Sequence, residues 1–388
     1  MTGLDRRTFV SAGGATLLSG CVKAPAALAP ASLPSRPVPP LLVGDDRLMR
    51  ITVCLRPFRP QGPRLEAERL GEKLVFHNYG HGGSGWSLSW GCAETTRDLA
   101  LASGHSRFAV IGAGVIGLTT ALRLIETGAD VAIYAAEFPA ETRSARATGV
   151  WSPSSRIAHA DATDAGFADR WEGWARKAHG VHQSLVGTLG DPVEYVPEYQ
   201  LSDPVPDPAR QPVPSEYQWL HLGRRLRGLA PGFRRLDAAK HSFAGKNVSN
   251  GQSMIFNVAA YSDRLARLFM LRGGKMVRRS FSDRSAVLAL DEPVILNCMG
   301  YGAKDIWNDA GLVPVRGQIN WFIPQAEARY ALYHRGAFAV SRRDGVVVQY
   351  LGNNDDWGYG VESELADREE LGLAQAAIAQ AFAETLQS

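Results

Sequence analysis

Arg107-Phe-Ala-Val-Ile-Gly-Ala-Gly-Val-Ile-Gly117, continued by Leu118-Thr-Thr-Ala-Leu-Arg-Leu-Ile-Glu-Thr127 and Gly128-Ala-Asp-Val-Ala-Ile-Tyr134, is the stretch on which the fold turns. Arg107 to Ile111 is a short apolar run of strand type. Three glycines follow at once, Leu118 to Thr127 has helical spacing, and the run ending at Tyr134 returns as a second strand. This strand–turn–helix–strand unit is the context a Gly-x-Gly-x-x-Gly turn needs to hold a dinucleotide. Gly112 permits the tight turn, Gly114 lets backbone approach a pyrophosphate, and Gly117 lets helix and strand pack closely. The helix start then offers free N–H groups and the positive end of its dipole to phosphate. Gly112, Ala113, Gly114, Val115, Ile116 and Gly117 are therefore candidate cofactor contacts. An acidic residue commonly ends the second strand and holds the ribose. Here that place reads Tyr134-Ala135-Ala136-Glu137, so Ala136 and Glu137 join the candidates, with backbone groups as the alternative grip on the sugar.

Composition bounds the rest. The 388 residues are 45% hydrophobic and 21% charged, which suits two or three lobes around sizeable cores. With 42 basic against 39 acidic residues the net charge is +3, too small an excess to suggest a nucleic-acid groove. Four cysteines are widely spread and form no Cys-x-x-Cys pair, so neither a zinc site nor a disulfide framework is expected. Beyond the N-terminus there is no run of about 20 apolar residues of the kind that spans a bilayer.

The N-terminus reads as an address. Arg6 and Arg7 precede a short apolar run, Phe9 to Leu18, and Leu18-Ser-Gly-Cys21 closes it. Arg-Arg-Thr-Phe-Val resembles the twin-arginine export motif, and Leu-Ser-Gly-Cys resembles the lipobox of bacterial lipoproteins. The resemblance implies passage through the twin-arginine translocase, lipidation of Cys21 and a lipid anchor facing the periplasm; an ordinary secretory signal is the alternative. Residues 22–45 are rich in Pro and Ala and read as an extended tether.

The most specific segment is His77-Asn-Tyr-Gly-His-Gly-Gly-Ser-Gly-Trp-Ser-Leu-Ser-Trp-Gly-Cys-Ala93. Its glycines would let backbone approach a planar ring, and a helix opening at Ser87 and Leu88 and running to about Leu101 would face that ring with its N-terminus. The segment resembles the flavin-contacting signature of the D-amino acid oxidase family. Leu55-Arg-Pro-Phe-Arg-Pro60 is similar to that family's substrate-arginine strand, and Ala147-Thr-Gly-Val-Trp151, Leu296-Asn-Cys-Met-Gly300 and Arg316-Gly-Gln318 match further segments. The resemblance covers nearly everything from about residue 46 onward. The order differs: the arginine strand and the glycine segment close the chain in the family but precede the nucleotide turn here. The sequence thus reads as a circular permutant, with the family's two ends joined near Leu99–Ser106 and new ends opened in a surface connection.

The resemblance implies FAD as cofactor and an α/β fold: a Rossmann-like FAD-binding domain with an interleaved α+β substrate domain on a mixed or antiparallel sheet. The segments would be 1–21 signal, 22–45 tether, 46–106 permuted arginine strand and flavin loop, 107–160 Rossmann core, 161–260 substrate domain, 261–305 return to the FAD domain, and 306–388 substrate sheet with a C-terminal helix from Asp367 to Leu386. It implies hydride transfer from an amine-bearing carbon to flavin N5, hydrolysis of the imine, and reoxidation by O2 to hydrogen peroxide. Arg56 would bind the substrate carboxylate, since a guanidinium fork matches it in two hydrogen bonds, and the carbonyl of Gly83 would accept from the amine. Gly82, Gly85, Trp86 and Ser87 would meet the flavin ring. Thr142, Arg143, Ser144, Thr148, Gly149, Val150 and Phe281 would line its nucleotide and dimethylbenzene side. His77 and His81 are read as orienting the glycine loop rather than as metal ligands. One departure stands out. The stretch matched to the family's carboxylate-holding tyrosines, Lys246 to Tyr261, lacks the tyrosine at its place, with Ser253 or Asn257 as substitutes and Tyr261 late. Glycine, sarcosine or another amine as substrate, a quinone-linked dehydrogenase, and a flavoprotein without turnover therefore stay open beside a D-amino acid oxidase, as does a homodimer.

Overall fold

The computed structural model describes residues 38–205, 213–229 and 232–383. The export signal, Cys21 and the tether up to residue 37 lie outside the described residues. No described helix is long and apolar enough to cross a membrane.

In chain order the strands are β1 Leu48–Phe58, β2 Ala67–Leu70, β3 Lys73–His77, β4 Arg107–Ile111, β5 Asp130–Ala135, β6 Val193–Ser202, β7 Arg234–Leu236, β8 Asn247–Phe256, β9 Lys275–Arg278, β10 Val294–Asn297, β11 Val313–Phe322, β12 Ala331–His334, β13 Ala337–Arg342 and β14 Gly345–Tyr350. The helices are α1 Gly85–Leu101, α2 Val115–Ile125, α3 Phe167–Ser184, α4 Val258–Leu271, α5 Arg284–Leu288, α6 Ala303–Ile306 and α7 Arg368–Gln380. They build two sheets. One runs β2-β3-β10-β4-β5-β9 and is parallel except for the antiparallel β2. The other runs β1-β11-β14-β13-β12-β6-β8-β7 and is antiparallel except between β12 and β6. This is the expected α/β architecture, a Rossmann-like nucleotide lobe interleaved with a lobe on a mixed sheet.

Burial explains both lobes. β4 and β10 read as unbroken apolar runs because both faces are covered. Phe108, Val110 and Leu296 pack under α1, α2 and α4, while Ala109, Ile111 and Ile295 meet Val287, Leu290 and Trp307 on the other side. The larger sheet buries Phe322, Leu332, Ala339 and Val348 against Leu371, Ala374 and Ile378 of α7. Helix α7 starts one residue after Asp367, whose carboxylate caps the N–H groups of Glu369 and Glu370 at 2.8 and 3.2 Å. It ends at Gln380, short of Leu386, which lies outside the described residues.

Two elements place the early part of the chain. β1 is zipped to β11 along its length, with Arg56 opposite Val315, and β3 lies parallel to β10. Residues 43–45 lie against α7, where the Gln375 amide donates to the carbonyl of Val43 at 2.8 Å and to Asp45 at 2.9 Å.

Candidate active site

One cavity of about 910 Å3 lies between the two lobes, at the upper end of the range for small-molecule and cofactor sites. Its nucleotide end is the turn after β4. Gly112 has φ +109°, and a Cβ there would stand 2.5 Å from the carbonyl oxygen of Cys298; one on Gly117 would stand 1.9 Å from the Gly112 carbonyl oxygen. The turn is therefore closed to side chains at both ends. Gly112, Ala113, Gly114, Val115 and Ile116 line the cavity. Gly117 does not; it is spent on packing helix against strand. Helix α2 begins at Val115 rather than Leu118, so its first N–H groups belong to the turn itself. The Val115 N–H is held at 3.0 Å by the hydroxyl of Ser144.

Ala136, Glu137, Thr142, Arg143, Ser144 and Phe281 also line this end, as expected, with Glu137 exposed at its rim. The residues past β5 fold into a 3-10 turn, Arg143–Arg146, which brings Arg146 there too, and the chain after β9 brings Arg279. Sequence reasoning missed Arg146 and Arg279. Both lie in irregular chain just past an element, where no periodicity marks which way a side chain faces. Arg143 and Arg146 share Glu364, the latter at 3.3 Å. Three guanidiniums at one end suit an anionic pyrophosphate.

The glycine-rich segment forms the next wall. Gly82, Gly83, Gly85 and Trp86 line the cavity. Helix α1 opens at Gly85, two residues earlier than the sequence suggested, because the Ser84 carbonyl already accepts from the N–H of Leu88 at 3.0 Å. Ser87 does not face the cavity: its hydroxyl is buried and accepts from the N–H of Ser152 at 2.7 Å, pinning the opposite wall. Trp86 donates to the Ser144 carbonyl at 2.9 Å, and its own carbonyl accepts from His182 at 3.1 Å. His182 in turn meets the Tyr261 hydroxyl at 2.9 Å, which accepts from Trp90 at 2.8 Å. Burial pushes His182 down to about 3, so it is neutral and able to donate through one ring nitrogen while accepting through the other. This buried relay fixes the tryptophan wall. Its histidine was not foreseen, because nothing local separates it from a core histidine.

His77 bridges strands, with Glu68 at 2.8 Å on one ring nitrogen and Asn297 at 3.1 Å on the other. His81 lines the cavity, and burial pushes it down to about 3; its Nε2 is buried without a partner. Among the described residues no three His, Cys, Asp or Glu side chains gather as a metal site.

The larger sheet is the third wall. Arg56 projects from β1, half-buried, with its exposed part in the cavity and Nη1 donating to the Arg316 carbonyl at 3.1 Å. It forms no ion pair among the described residues. Burial, and next the charge of Arg156, push it down to about 10. Thr148, Gly149 and Val150 line the junction with the nucleotide lobe: Val150 bridges to Ile255 of β8, and the Thr148 hydroxyl donates to Gln349 at 2.7 Å.

The tyrosine expectation needs correction. Lys246 to Tyr261 forms β8 and the start of α4, and of its substitutes only Ser253 lines the cavity, donating to the buried Glu198. Asn257 turns away to Asp191 and Glu194, both at 2.6 Å, and Tyr261 belongs to the buried relay. Between Arg56 and Ser253 the sheet lines the cavity with Ile319 on β11, Gln349 on β14, Phe338 on β13 and Glu198 on β6, and Leu351 follows just after β14.

A glycine turn closed to side chains, cationic flanks, a glycine wall opening a helix, and an arginine on the facing sheet fit FAD. They define a flavin-dependent oxidoreductase. The profile of the DAO family, described as FAD dependent oxidoreductase, matches residues 107–387. The chain belongs to this family, and its cofactor is FAD. Among curated relatives, a D-amino-acid oxidase of Streptomyces coelicolor is 29% identical over 210 residues, covering 54% of this chain and 57% of that protein. The D-amino-acid oxidase of Dictyostelium discoideum is 25% identical over 283 residues, covering 71% and 73%. The chain thus spans little more than half of the first relative's length. Among solved structures, an iminodiacetate oxidase from Chelativorans superposes with a TM-score of 0.47 at 17% identity, covering 72% of this chain and 80% of that one.

Proposed function

We propose that the protein oxidatively deaminates D-amino acids. The observation that carries this reading is Arg56: a cation without an acidic partner among the described residues, set in the cavity beside the glycine wall, whose Gly82 N–H donates to the neighbouring Pro57 carbonyl at 2.7 Å. A half-buried charge of this kind is poorly compensated until a carboxylate arrives. FAD, when bound, supplies the two-electron acceptor, with dioxygen as final acceptor giving hydrogen peroxide. The chain's own residues bind and orient. Arg56 holds the α-carboxylate in a two-pronged grip, the Gly83 carbonyl accepts from the amine, and Phe338 and Leu351 keep water from that end of the cavity. The reacting amine is neutral, so no protein base is needed. Anaerobic mixing of the FAD-loaded protein with D-amino acids, L-amino acids, glycine and sarcosine tests this. Bleaching of the flavin by D-amino acids, with peroxide on readmitting air, is expected. Bleaching by glycine or sarcosine alone moves the substrate class, bleaching without peroxide makes it a dehydrogenase, and no bleaching at all ends the reading.

We also infer that the chain is a circular permutant of its family. Three features support this. The matched family profile begins at residue 107, where β4 begins. Helix α1 passes into β4 through only residues 102–106. Residues 43–45, just before β1, lie against α7, so the ends of the described chain meet on one lobe. Export by the twin-arginine route with lipidation at Cys21 is likewise a proposal, resting on Arg6, Arg7 and Leu18-Ser-Gly-Cys21. Mass spectrometry of membrane-extracted protein would show a diacylated N-terminal Cys21, and Cys21→Ala would release it.

A further inference from the structure

The cavity holds a second buried guanidinium that the reaction as described does not use. Arg156 lies in the loop after Val150 and is 8% exposed, yet its residue lines the cavity. It adopts φ +48°, a left-handed conformation that is strained for a residue with a side chain. The strained turn is locked from behind, because the Arg156 carbonyl fills the space where Gly82 would carry a Cβ, at 1.9 Å. The chain therefore accepts strain at Arg156 and a bare glycine at Gly82 to put a cation inside.

That cation is poorly matched by protein. Its Nε donates to the backbone carbonyl of Asp355 at 2.9 Å, while the Asp355 carboxylate stands 3.9 Å from Nη2 and is half-exposed, with His221 at the same distance on its other oxygen. Arg156 is the largest cause after burial of Arg56's lowered pKa, while burial lowers Arg156's own pKa and the carboxylates of Asp355 and Asp356 only partly offset it. Two like charges in one enclosed space repel unless a ligand brings two negative charges. The cavity's own buried acid, Glu198, is not that partner. It sits on β6, five strands from β1 in the sheet order, roughly 24 Å away at the usual strand spacing, and is held by Ser253 and by Gln200 at 3.0 Å.

We propose that Arg156 is a second carboxylate-binding residue, so that the preferred substrate is an amino acid with an acidic side chain, its α-carboxylate on Arg56 and its side-chain carboxylate on Arg156. This rests on Arg56 being the α-carboxylate anchor. Arg156 then acts as a specificity determinant: an amide in place of the side-chain acid keeps the shape and loses the charge.

The test compares isosteric pairs on the FAD-loaded protein. D-Aspartate over D-asparagine, and D-glutamate over D-glutamine, are expected to differ in kcat/KM by about 10- to 100-fold, the range for a hydrogen bond to a charged group. The difference lies in KM. Arg156→Met is expected to bring each ratio to near one. Because a substitution at a strained turn can disturb folding, a second measurement uses the unaltered protein and no turnover. Calorimetric titration with succinate against butyrate should show the dicarboxylate binding at least about tenfold tighter. Amides equal to or better than acids, with butyrate matching succinate, overturn the proposal. If no amino acid of any kind bleaches the flavin but succinate still binds more tightly through Arg156, the catalytic reading fails and the dicarboxylate site stands.

Discussion

Replacing Arg56 with Met should move stability and binding in opposite directions. In the absence of substrate the guanidinium is a liability. Its fall from an ordinary 12.5 to about 10 corresponds to about 3 kcal/mol against the charged form. Since part of the side chain meets the cavity rather than packed protein, water screening reduces this to about 2 kcal/mol. Arg56→Met forfeits the hydrogen bond to the Arg316 carbonyl, worth about 1 kcal/mol, while the methionine stem refills much of the volume. The variant should therefore be more stable than the parent by about 1 kcal/mol, read as an upward shift of the urea midpoint of FAD-saturated, substrate-free protein. The same change removes the carboxylate's partner, at a cost of about 2–5 kcal/mol, or roughly 30-fold or more in affinity. Titration of a nonreactive monocarboxylate, followed by flavin absorbance, reads that loss. A variant that is less stable and binds carboxylates as before would make Arg56 a structural residue and remove the argument for an amino-acid site.

Other outcomes follow from the geometry. Gly112→Ala puts a Cβ 2.5 Å from the Cys298 carbonyl at φ +109° and should cost about 2–4 kcal/mol and most of the bound FAD, whereas Gly173→Ala in α3, where no atom lies within 4 Å, should be neutral to mildly stabilising; flavin content and the urea midpoint separate the two. His81 and His182 are both held down to about 3, so the folded chain binds fewer protons than the unfolded one between about pH 3 and 6.5. Stability should therefore fall as pH drops below 6.5, by up to about 2.7 kcal/mol per pH unit for the pair, and His182→Asn should halve that slope; a flat profile from pH 7 to 5 would contradict their neutrality. A rearranged chain, residues 107–383 followed through a short linker by residues 38–106, should fold and bind FAD if the order is a permutation, as measured by flavin content after expression; colourless aggregate from both that chain and a second linker length would oppose it.

Much of this was legible because it is local. The strand β4, the cradle glycines and the wall from Gly82 to Trp86 lie within short segments whose residue types leave few alternatives. So did the pairing of β1 with the C-terminal half, since Arg56 and the glycine wall had to reach the same flavin. What escaped depends on contacts between distant parts of the chain. Ser87 looked like a ring contact because it follows Trp86, but on a helix opening at Gly85 its side chain points back to Ser152. Gly117 serves the cradle by absence, filling no cavity wall. The tyrosine position was sought on β8, when the sheet order puts β13, which carries Phe338, and β14, which Leu351 follows, between β1 and β8. Arg156 is one arginine among the 42 basic residues until its turn is seen locked on Gly82.

The interleaving of the lobes has a mechanical consequence. The chain goes from β1 in the larger sheet to β2–β5 in the smaller, back to β6–β8, again to β9 and β10, and finally to β11–β14, which is four crossings. Lobes sewn together this often cannot swing apart like jaws, and limited proteolysis should yield no fragment that keeps one lobe whole. Val43 and α7, near the two ends of the described chain, lie on the same lobe. Opening the chain there cuts no stitch between the lobes, so the order of the sequence could change while the clamp around the flavin kept every thread.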